Sequence, residues 1–251
     1  MPTSDDPTGR PSLETALAGP ESKRHYVRRL FDTIADRYDL ITRVLSWGLD
    51  QRWKTRLVRL SGIEPGTRVL DLACGTGDLA IAAAGRGASV VGLDITPRMI
   101  VLARRAALAR RTDRPVVWGV ADMMALPVRT GAFDRVTTGY GLRNVPDLRG
   151  ALAEIHRVLE PGGRLCALDF NRPESPLVRG LYLGYLTAVG SALGWILHRD
   201  PDTYRYIPAS IRRYPGARGI VALLEAAGFV DVRHVPVLGG LMAIHVATRP
   251  A

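Results

Sequence analysis

Two acidic residues and two glycines in the first half of the chain have the spacing of a ligand-binding strand–turn–helix unit. Asp71 ends an apolar run, and Gly75 and Gly77 follow it. Asp94 ends the next apolar run. Glycines in such a turn let the backbone approach a ligand without a Cβ in the way. A helix that begins at about Leu79 would point its first N–H groups toward that ligand. The unit therefore predicts a cofactor that carries a carboxylate or a phosphate.

The choice of cofactor depends on the acidic residue before the turn. The glycines and Asp94 also fit a dinucleotide-binding turn. Asp71 would repel a pyrophosphate, however, whereas it would attract an ammonium group. S-adenosylmethionine offers an ammonium for Asp71, a carboxylate for the start of the helix and two ribose hydroxyls for Asp94. The methyl donor is therefore favoured over NAD, and an ordinary tight turn is the alternative without a ligand.

Two polar segments follow later apolar runs of the same pattern. Asp122 and Met123 come after the third run, where the carboxylate can accept the adenine amino group and the methionine can face the ring. Arg143 and Asn144 come after the fourth run and can donate hydrogen bonds to an oxygen-bearing substrate. In the alternative interpretation, Asp122 caps a loop and Asn144 only orders one.

Strand and helix patterns alternate from residue 67 onward. Strands are predicted at residues 67–72, 88–93, 116–120, 133–138 and 164–170, with a Pro-Gly-Gly turn at 161–163 before the last of them. Helices are predicted at residues 79–85, 97–109 and 148–159. This alternation predicts an α/β fold, a doubly wound and mostly parallel sheet of the Rossmann-like kind with right-handed crossovers.

The end of the chain predicts an antiparallel closure of this sheet. A helix is expected at residues 217–227, followed by strands at 229–236 and 240–248 joined by a short turn. The two strands bring the predicted sheet to seven. A closing antiparallel hairpin is typical of a methyltransferase sheet and not of a dinucleotide-binding dehydrogenase domain, which is a second argument for the methyl donor.

The segments outside this alternation predict a helical cap on one domain, residues 21–251. Residues 1–20 are polar and proline-rich and predict a disordered tail without a signal peptide. Helices at 23–37, 38–45 and 50–60, together with residues 174–215, would cover the carboxyl edge of the sheet. Residues 180–198 form the longest uncharged run and predict a helix broken near Gly190 that lines an apolar pocket or touches a membrane. A polar aromatic helix is predicted at 202–214.

Charge and cysteine content narrow the partners. The 251 residues carry a net charge of +10, which favours nucleic acid or an anionic membrane as surroundings. The arginines are scattered, so a nucleic-acid partner is not expected, and the alternative explanation is that the high arginine content reflects only the base composition of the genome. Two cysteines, Cys74 and Cys166, are too few for a disulfide framework and predict a reducing cytoplasm. No metal site is predicted.

Several motifs together resemble the class I S-adenosylmethionine-dependent methyltransferases, and more narrowly the ubiquinone/menaquinone biosynthesis C-methyltransferases. The resemblance covers roughly residues 26–245, and its motifs lie at residues 38–54, 69–79, 122–127, 140–145, 157–163, 202–212 and 239–245. The Gly-Leu-Arg-Asn segment at 141–144 and the Tyr-Arg-Tyr segment at 204–206 are the most specific of them. The resemblance implies methylation of a ring carbon of a polyprenylated quinol, which is a benzoquinol, a naphthoquinol or both.

The resemblance also implies roles for individual residues. The cofactor-binding residues would be Asp71, Gly75, Thr76, Gly77, Asp94, Asp122, Met123 and Gly139. The catalytic candidates are Arg143 with Asn144, which would bind and stabilise a phenolate while water takes the proton, and the alternative bases Asp169 and His245. For His245 a purely structural role is an equal alternative. The substrate-binding residues would be Tyr140, Tyr204 and Arg205.

The implied substrate predicts where the protein works. A polyprenyl tail requires an apolar channel, for which residues 177–197 are the candidates, and the basic surface predicts peripheral association with the inner face of an anionic membrane. A homodimer is possible. The competing functions are methylation of another small molecule, methylation of RNA or protein, and a cofactor-binding scaffold without catalysis.

Overall fold

The computed structural model describes residues 13, 19–110 and 114–251. The predicted disordered tail, residues 1–20, lies outside the described residues except for positions 13, 19 and 20. Pro20 already begins the first described helix, since proline is well suited to the first helical position.

A seven-stranded sheet forms the centre of the protein. Its strands are β1 (Arg68–Leu72), β2 (Ser89–Asp94), β3 (Val117–Val120), β4 (Phe133–Gly139), β5 (Leu159–Phe170), β6 (Val230–Val237) and β7 (Met242–Thr248). They are arranged in the order β3-β2-β1-β4-β5-β7-β6. The pairs from β3 to β5 are parallel, whereas β7 runs antiparallel to both β5 and β6. This confirms the predicted doubly wound sheet with its antiparallel hairpin.

Helices surround this sheet. They are α1 (Pro20–Ile34), α2 (Tyr38–Leu45), α3 (Asp50–Leu60), α4 (Asp78–Ala84), α5 (Pro97–Arg110), α6 (Leu148–Val158), α7 (Pro176–His198), α8 (Tyr206–Arg213) and α9 (Gly216–Ala226). Short 3₁₀ turns lie at Ala35–Arg37, Leu142–Asn144 and Leu238–Gly240.

The core lies on both faces of the sheet because neighbouring residues of a strand point to opposite sides. Leu70 and Leu72 of β1 pack with α6 and α9, in a cluster that includes Ile155 and Leu224. Val69 precedes Leu70, so its side chain points to the other face, where it packs with α3 and α4. The continuous apolar run of β1 follows from this double coverage.

Two predicted elements differ from the structure. Strand β5 begins at Leu159, before the predicted turn, because Leu159 pairs with Phe133 and Arg164 pairs with Arg135. The Pro-Gly-Gly segment is therefore an irregularity inside one strand. The aromatic helix α8 begins at Tyr206, and residues 201–205 form turns before it.

The predicted break near Gly190 is wrong, because α7 is one continuous helix of 23 residues. Its glycines have a packing cause. A Cβ on Gly190 would lie 3.2 Å from the Cβ of Tyr204, and one on Gly194 would lie 2.4 Å from the carbonyl oxygen of Asp200. These glycines let the segment 200–204 pack closely against the helix. In length and composition α7 could cross a membrane. Of its most apolar window, 28% is buried in the protein.

Candidate active site

Two cavities lie side by side at the carboxyl edge of the parallel strands, where ligands bind in open α/β sheets. One, of about 760 Å³, borders the glycine turn after β1 and is called the cofactor cavity. The other, of about 850 Å³, lies under α2, α7 and α8 and is called the apolar cavity. Phe31, Tyr38 and Tyr140 line both cavities, so the two spaces share an aromatic wall.

Asp94 anchors the glycine turn and faces the cofactor cavity. Its Oδ2 accepts a hydrogen bond of 2.9 Å from the N–H of Gly75, and its Oδ1 accepts one of 2.8 Å from the N–H of Thr96. Burial raises the pKa of this carboxyl, and the two backbone hydrogen bonds act in the opposite direction. The two backbone hydrogen bonds therefore fix the Asp94 carboxylate at the wall of the cofactor cavity, and its contact with a ligand stays a prediction.

Asp71 lies behind the glycine turn, and its carboxylate is occupied by the protein itself. The hydroxyl of Thr137 donates to Oδ1 at 2.7 Å, and the N–H of Ala80 donates to Oδ2 at 3.1 Å. Burial raises its pKa to about 7. Asp71 therefore ties β4 to α4 instead of facing an ammonium, which corrects the first expectation. In the first turn of α4 the N–H of Ala80 donates to Asp71, whereas the contact of the other first N–H groups with a ligand stays a prediction.

Thr76 connects the glycine turn to the cap instead of lining the cofactor cavity. Its hydroxyl donates a hydrogen bond of 2.7 Å to Asp39 of α2. Gly77 has a φ of +92° and precedes α4, and a Cβ there would lie 2.7 Å from the ring of Trp118. The turn therefore depends on Gly77 for both its backbone conformation and its packing.

The far end of the cofactor cavity contains Asp122, Met123 and Asn144. Asp122 accepts a 2.9 Å hydrogen bond from the N–H of Met124 and forms a 2.6 Å ion pair with Arg24 of α1. Asn144 donates to the carbonyl of Tyr140 at 2.8 Å, and its buried Oδ1 has no hydrogen-bond partner among the described residues. Asn144 thus lies at the cofactor cavity, whereas the sequence predicts it at the substrate.

The side chains of the cofactor cavity fit S-adenosylmethionine. Asp94, Asp122 and the unpartnered Oδ1 of Asn144 accept hydrogen bonds, which suits the hydroxyl, amino and cationic groups of this molecule. Met99 and Met123 offer apolar surface for an adenine ring. A pyrophosphate would face these acceptors with its negative charges, so the same geometry disfavours a dinucleotide.

Arg143 is a buried cation that lines the apolar cavity. Its guanidinium lies over the ring of Phe170 at 5.1 Å and over that of Tyr206 at 5.7 Å, and one of its amino groups donates to the hydroxyl of Ser210. The Arg143 Nε lies 3.5 Å from Oδ1 of Asp169. A cation in an apolar aromatic pocket is suited to an anionic oxygen on an apolar ligand.

Asp169 lies behind Arg143, away from both cavities. It is 1% exposed, accepts a 2.9 Å hydrogen bond from the N–H of Arg143 and another of 2.8 Å from the N–H of Phe170. Burial raises its pKa, and Arg143 opposes that shift. The predicted base is therefore a positioning residue, since a carboxylate occupied in this way does not reach a substrate.

The two predicted substrate contacts on the segment 204–206 differ in position. Tyr204 lines the apolar cavity, and its hydroxyl lies 2.8 Å from Nε2 of His198. Arg205 points away from the cavity, where it pairs with Asp202 at 3.1 Å and its side chain is 59% exposed. Arg205 is corrected to a surface residue because neighbouring residues in this turn point in opposite directions.

His245 belongs to the core of the sheet and not to a cavity. It is 1% exposed on β7, and its Nε2 lies 3.1 Å from the carbonyl oxygen of Ala217. Burial lowers its pKa to about 4. The alternative base is therefore corrected to a structural residue that stays neutral in the folded protein.

We expect the variant His245→Gln to retain methyl transfer and to lose one pH dependence of stability. The folded-state pKa of about 4 lies below the ordinary 6.5, so the unfolded chain binds the extra proton. The folded protein should lose about 3 kcal/mol from this group as the pH falls from 6.5 to 4. Urea unfolding of both proteins across this range measures the difference. An inactive but folded variant would contradict the structural role.

Several residues of the site escape prediction from the sequence. Tyr38, Phe31, Tyr182 and Tyr206 line the cavities, and Arg24 reaches Asp122 from α1. Tyr38 and Tyr206 belong to the motifs that carry the family resemblance, which is the signal that could have found them. Arg24 and Phe31 carry no such signal, since only the folding of α1 over the sheet brings them to the site.

Comparison with known proteins agrees with this geometry. Residues 20–249 match the sequence model of the ubiE/COQ5 methyltransferase family. A demethylmenaquinone methyltransferase of Thermus thermophilus is 44% identical over 88% of this chain and 100% of its own length. The ubiquinone/menaquinone biosynthesis C-methyltransferase UbiE of Teredinibacter turnerae is 37% identical over 98% of this chain and 99% of its own.

Solved structures support the fold. The Thermotoga maritima protein described as a SAM-dependent methyltransferase, possible histamine N-methyltransferase, superimposes with a TM-score of 0.64 at 19% identity, covering 89% of this chain and 99% of its own. The fold is thus that of the class I S-adenosylmethionine-dependent methyltransferases. With a sequence match over nearly its whole length, the chain belongs to the ubiE/COQ5 methyltransferase family.

Proposed function

We propose that the protein is an S-adenosylmethionine-dependent C-methyltransferase that methylates a ring carbon of a polyprenylated quinol. The observation that carries this proposal is the buried guanidinium of Arg143 in an apolar, aromatic cavity that adjoins the cofactor cavity. An apolar ring with an ionisable hydroxyl matches such a space. The names of the relatives, which include demethylmenaquinone and ubiquinone/menaquinone methyltransferases, support the same substrate class.

The proposed mechanism assigns the activation of the ring to Arg143. A ring carbon is a weak nucleophile until the neighbouring hydroxyl loses its proton, and a fixed cation stabilises the resulting phenolate. Water takes this proton, because the carboxylate nearest to Arg143, that of Asp169, is occupied in holding it. When bound, S-adenosylmethionine supplies the electrophilic methyl group.

The shared aromatic wall has a positioning role in this proposal. Tyr38 and Tyr140 border both cavities. A ring in the apolar cavity and a cofactor beside Asp94 would therefore lie next to each other where these two side chains border both spaces. Fixing two reactants in this way supplies much of the rate acceleration of a transfer reaction.

The test is transfer of a labelled methyl group from S-adenosylmethionine to short-chain acceptors by the purified protein. Demethylmenaquinol and a 2-polyprenyl-6-methoxybenzoquinol are offered separately, and the position of the label is determined. Label on the ring carbon of either supports the proposal, and the ratio of rates identifies the preferred ring. Label on a hydroxyl, or none despite cofactor binding, would overturn it in favour of another acceptor.

The same proposal includes the place of action. We propose that the protein works in the cytoplasm as a peripheral protein of the inner membrane face, since a polyprenylated substrate resides in the bilayer and the net charge of +10 favours anionic lipid. A homodimer is compatible with this position.

A further inference from the structure

Helix α7 presents a continuous uncharged face to solvent. The exposed residues Leu177, Leu181, Gly184, Ala188, Ala192 and Trp195 recur every three or four positions, so they form one stripe along the helix, which we call the α7 face. Leu177 is 73% exposed, Leu181 69% and Trp195 67%. Large apolar side chains thus stand at both ends of the stripe, with small residues between them.

A second apolar stripe adjoins the α7 face. Leu40, Val44 and Trp47 are exposed along α2 and the turn after it. The ring of Trp47 lies 5.2 Å from that of Tyr185 on α7, and both rings line the apolar cavity. Because Trp47 is itself 61% exposed, the cavity reaches the surface where the two stripes meet.

The opposite side of α7 is built into the protein. Tyr182, Leu183 and Leu186 are buried and pack with Ile211 of α8, and Gly190 packs against Tyr204. A helix that spanned a membrane would have to leave these contacts and dismantle the wall of the cavity. Because these contacts hold the buried side of α7 in the protein, its exposed apolar stripe is the part of the helix that can contact a membrane surface.

The charges around the α7 face select an anionic partner. Arg43, exposed on α2, and Arg199, exposed at the end of α7, border the apolar stripes, and Arg179 lies half-buried in the first turns of α7. Of the acidic neighbours, Glu174 and Asp202 are paired with Arg218 and Arg205, and Asp200 is half-buried beside Arg199. Exposed tryptophan with arginine at the margins is typical of the boundary between lipid chains and headgroups.

We propose that the α7 face docks on a bilayer that contains anionic phospholipid, so that the mouth beside Trp47 opens into the lipid. The purpose of this docking rests on the proposed function. A quinol with a polyprenyl tail would enter the cavity directly from the lipid, without crossing water. The docking itself depends only on the apolar stripes and the arginines.

The experiment measures binding of the full chain to phosphatidylcholine vesicles with and without phosphatidylglycerol, by co-sedimentation at low and high salt. The wild type should bind the anionic vesicles, and less so as salt rises. Leu181→Asp should weaken binding about tenfold or more, because the variant loses the free energy of transferring one leucine side chain from water into the lipid, which corresponds to at least that factor. The matched control is Leu108→Asp, since Leu108 is 80% exposed on α5, away from this face.

Two further measurements keep the docking separate from the reaction. Methyl transfer to a water-soluble short-chain quinol should be equal in the wild type and in Leu181→Asp, because Leu181 lines neither cavity. The mass of both proteins in solution is determined by light scattering.

Vesicle binding that Leu181→Asp leaves unchanged overturns the proposal. A wild-type dimer that Leu181→Asp converts to a monomer without vesicle binding overturns it as well and assigns the face to a second copy. If the wild type transfers no methyl group to the soluble quinol, this result counts against the proposed function and not against the docking.

Discussion

Replacing Arg143 with methionine should reduce methyl transfer by about 10²- to 10³-fold, because the variant lacks the buried cation that stabilises the developing phenolate. Arg143 lines the apolar cavity, whereas Asp94 and the glycine turn border the other one, so the affinity for S-adenosylmethionine should stay close to that of the wild type. Single-turnover transfer and calorimetric titration of the cofactor measure the two quantities separately.

The same variant leaves Asp169 buried without its partner, which costs about 3–5 kcal/mol of stability when a buried ion pair is broken. The double variant Arg143→Met with Asp169→Asn should therefore recover stability but not activity. Arg143→Lys is the control for charge alone, since lysine keeps the cation but not the planar group over Phe170 and Tyr206. Full activity in the stable double variant would contradict the role assigned to Arg143.

Gly77→Ala should weaken both the fold and cofactor binding. The φ of +92° costs an L-residue about 1–2 kcal/mol, and the added Cβ would lie 2.7 Å from the Trp118 ring and 3.2 Å from the Ala103 Cβ. Overpacking of this kind costs a further amount of about 1–3 kcal/mol. Because the displaced turn carries Gly75 and its hydrogen bond to Asp94, we expect a clearly lower melting temperature and at least about tenfold weaker cofactor binding.

Gly66→Ala separates the two causes in Gly77→Ala. Gly66 has a φ of +89°, nearly the same as Gly77, but a Cβ on it would have no atom within 4 Å. This control should therefore show the cost of the backbone conformation alone and leave cofactor binding unchanged. Equal losses in the two variants would show that contact with Trp118 contributes nothing.

The parts of the site whose position follows from the sequence are those fixed by short-range order. Asp94 ends β2, and Asp122 and Met123 closely follow β3, so all three reach the cofactor cavity because the carboxyl ends of parallel strands meet at one edge of the sheet. Gly75 lies in the turn after β1 and Gly139 ends β4, and both line the same cavity. The fold class follows from the same alternation of strand and helix, together with the final hairpin.

Three of the errors concern side chains whose partners are distant in the sequence. Asp71 accepts a hydrogen bond from Thr137, 66 residues away, and Thr76 donates one to Asp39, 37 residues away. Asp169 looks like a base because it ends a strand, but the turn that carries Arg143 folds back over it. Motif spacing gives the position of a carboxylate along the chain, whereas its availability depends on what packs against it.

The glycines of α7 divide into two groups that differ in their tolerance to change. Gly190 and Gly194 face the segment 200–204, where a Cβ would press on Tyr204 or clash with the carbonyl of Asp200, whereas Gly180 and Gly184 have open space around the position of a Cβ. Alanine favours a helix over glycine by about 1 kcal/mol per position. Protein engineering can therefore gain thermostability at Gly180 and Gly184 without altering either cavity, and must leave Gly190 and Gly194 as they are.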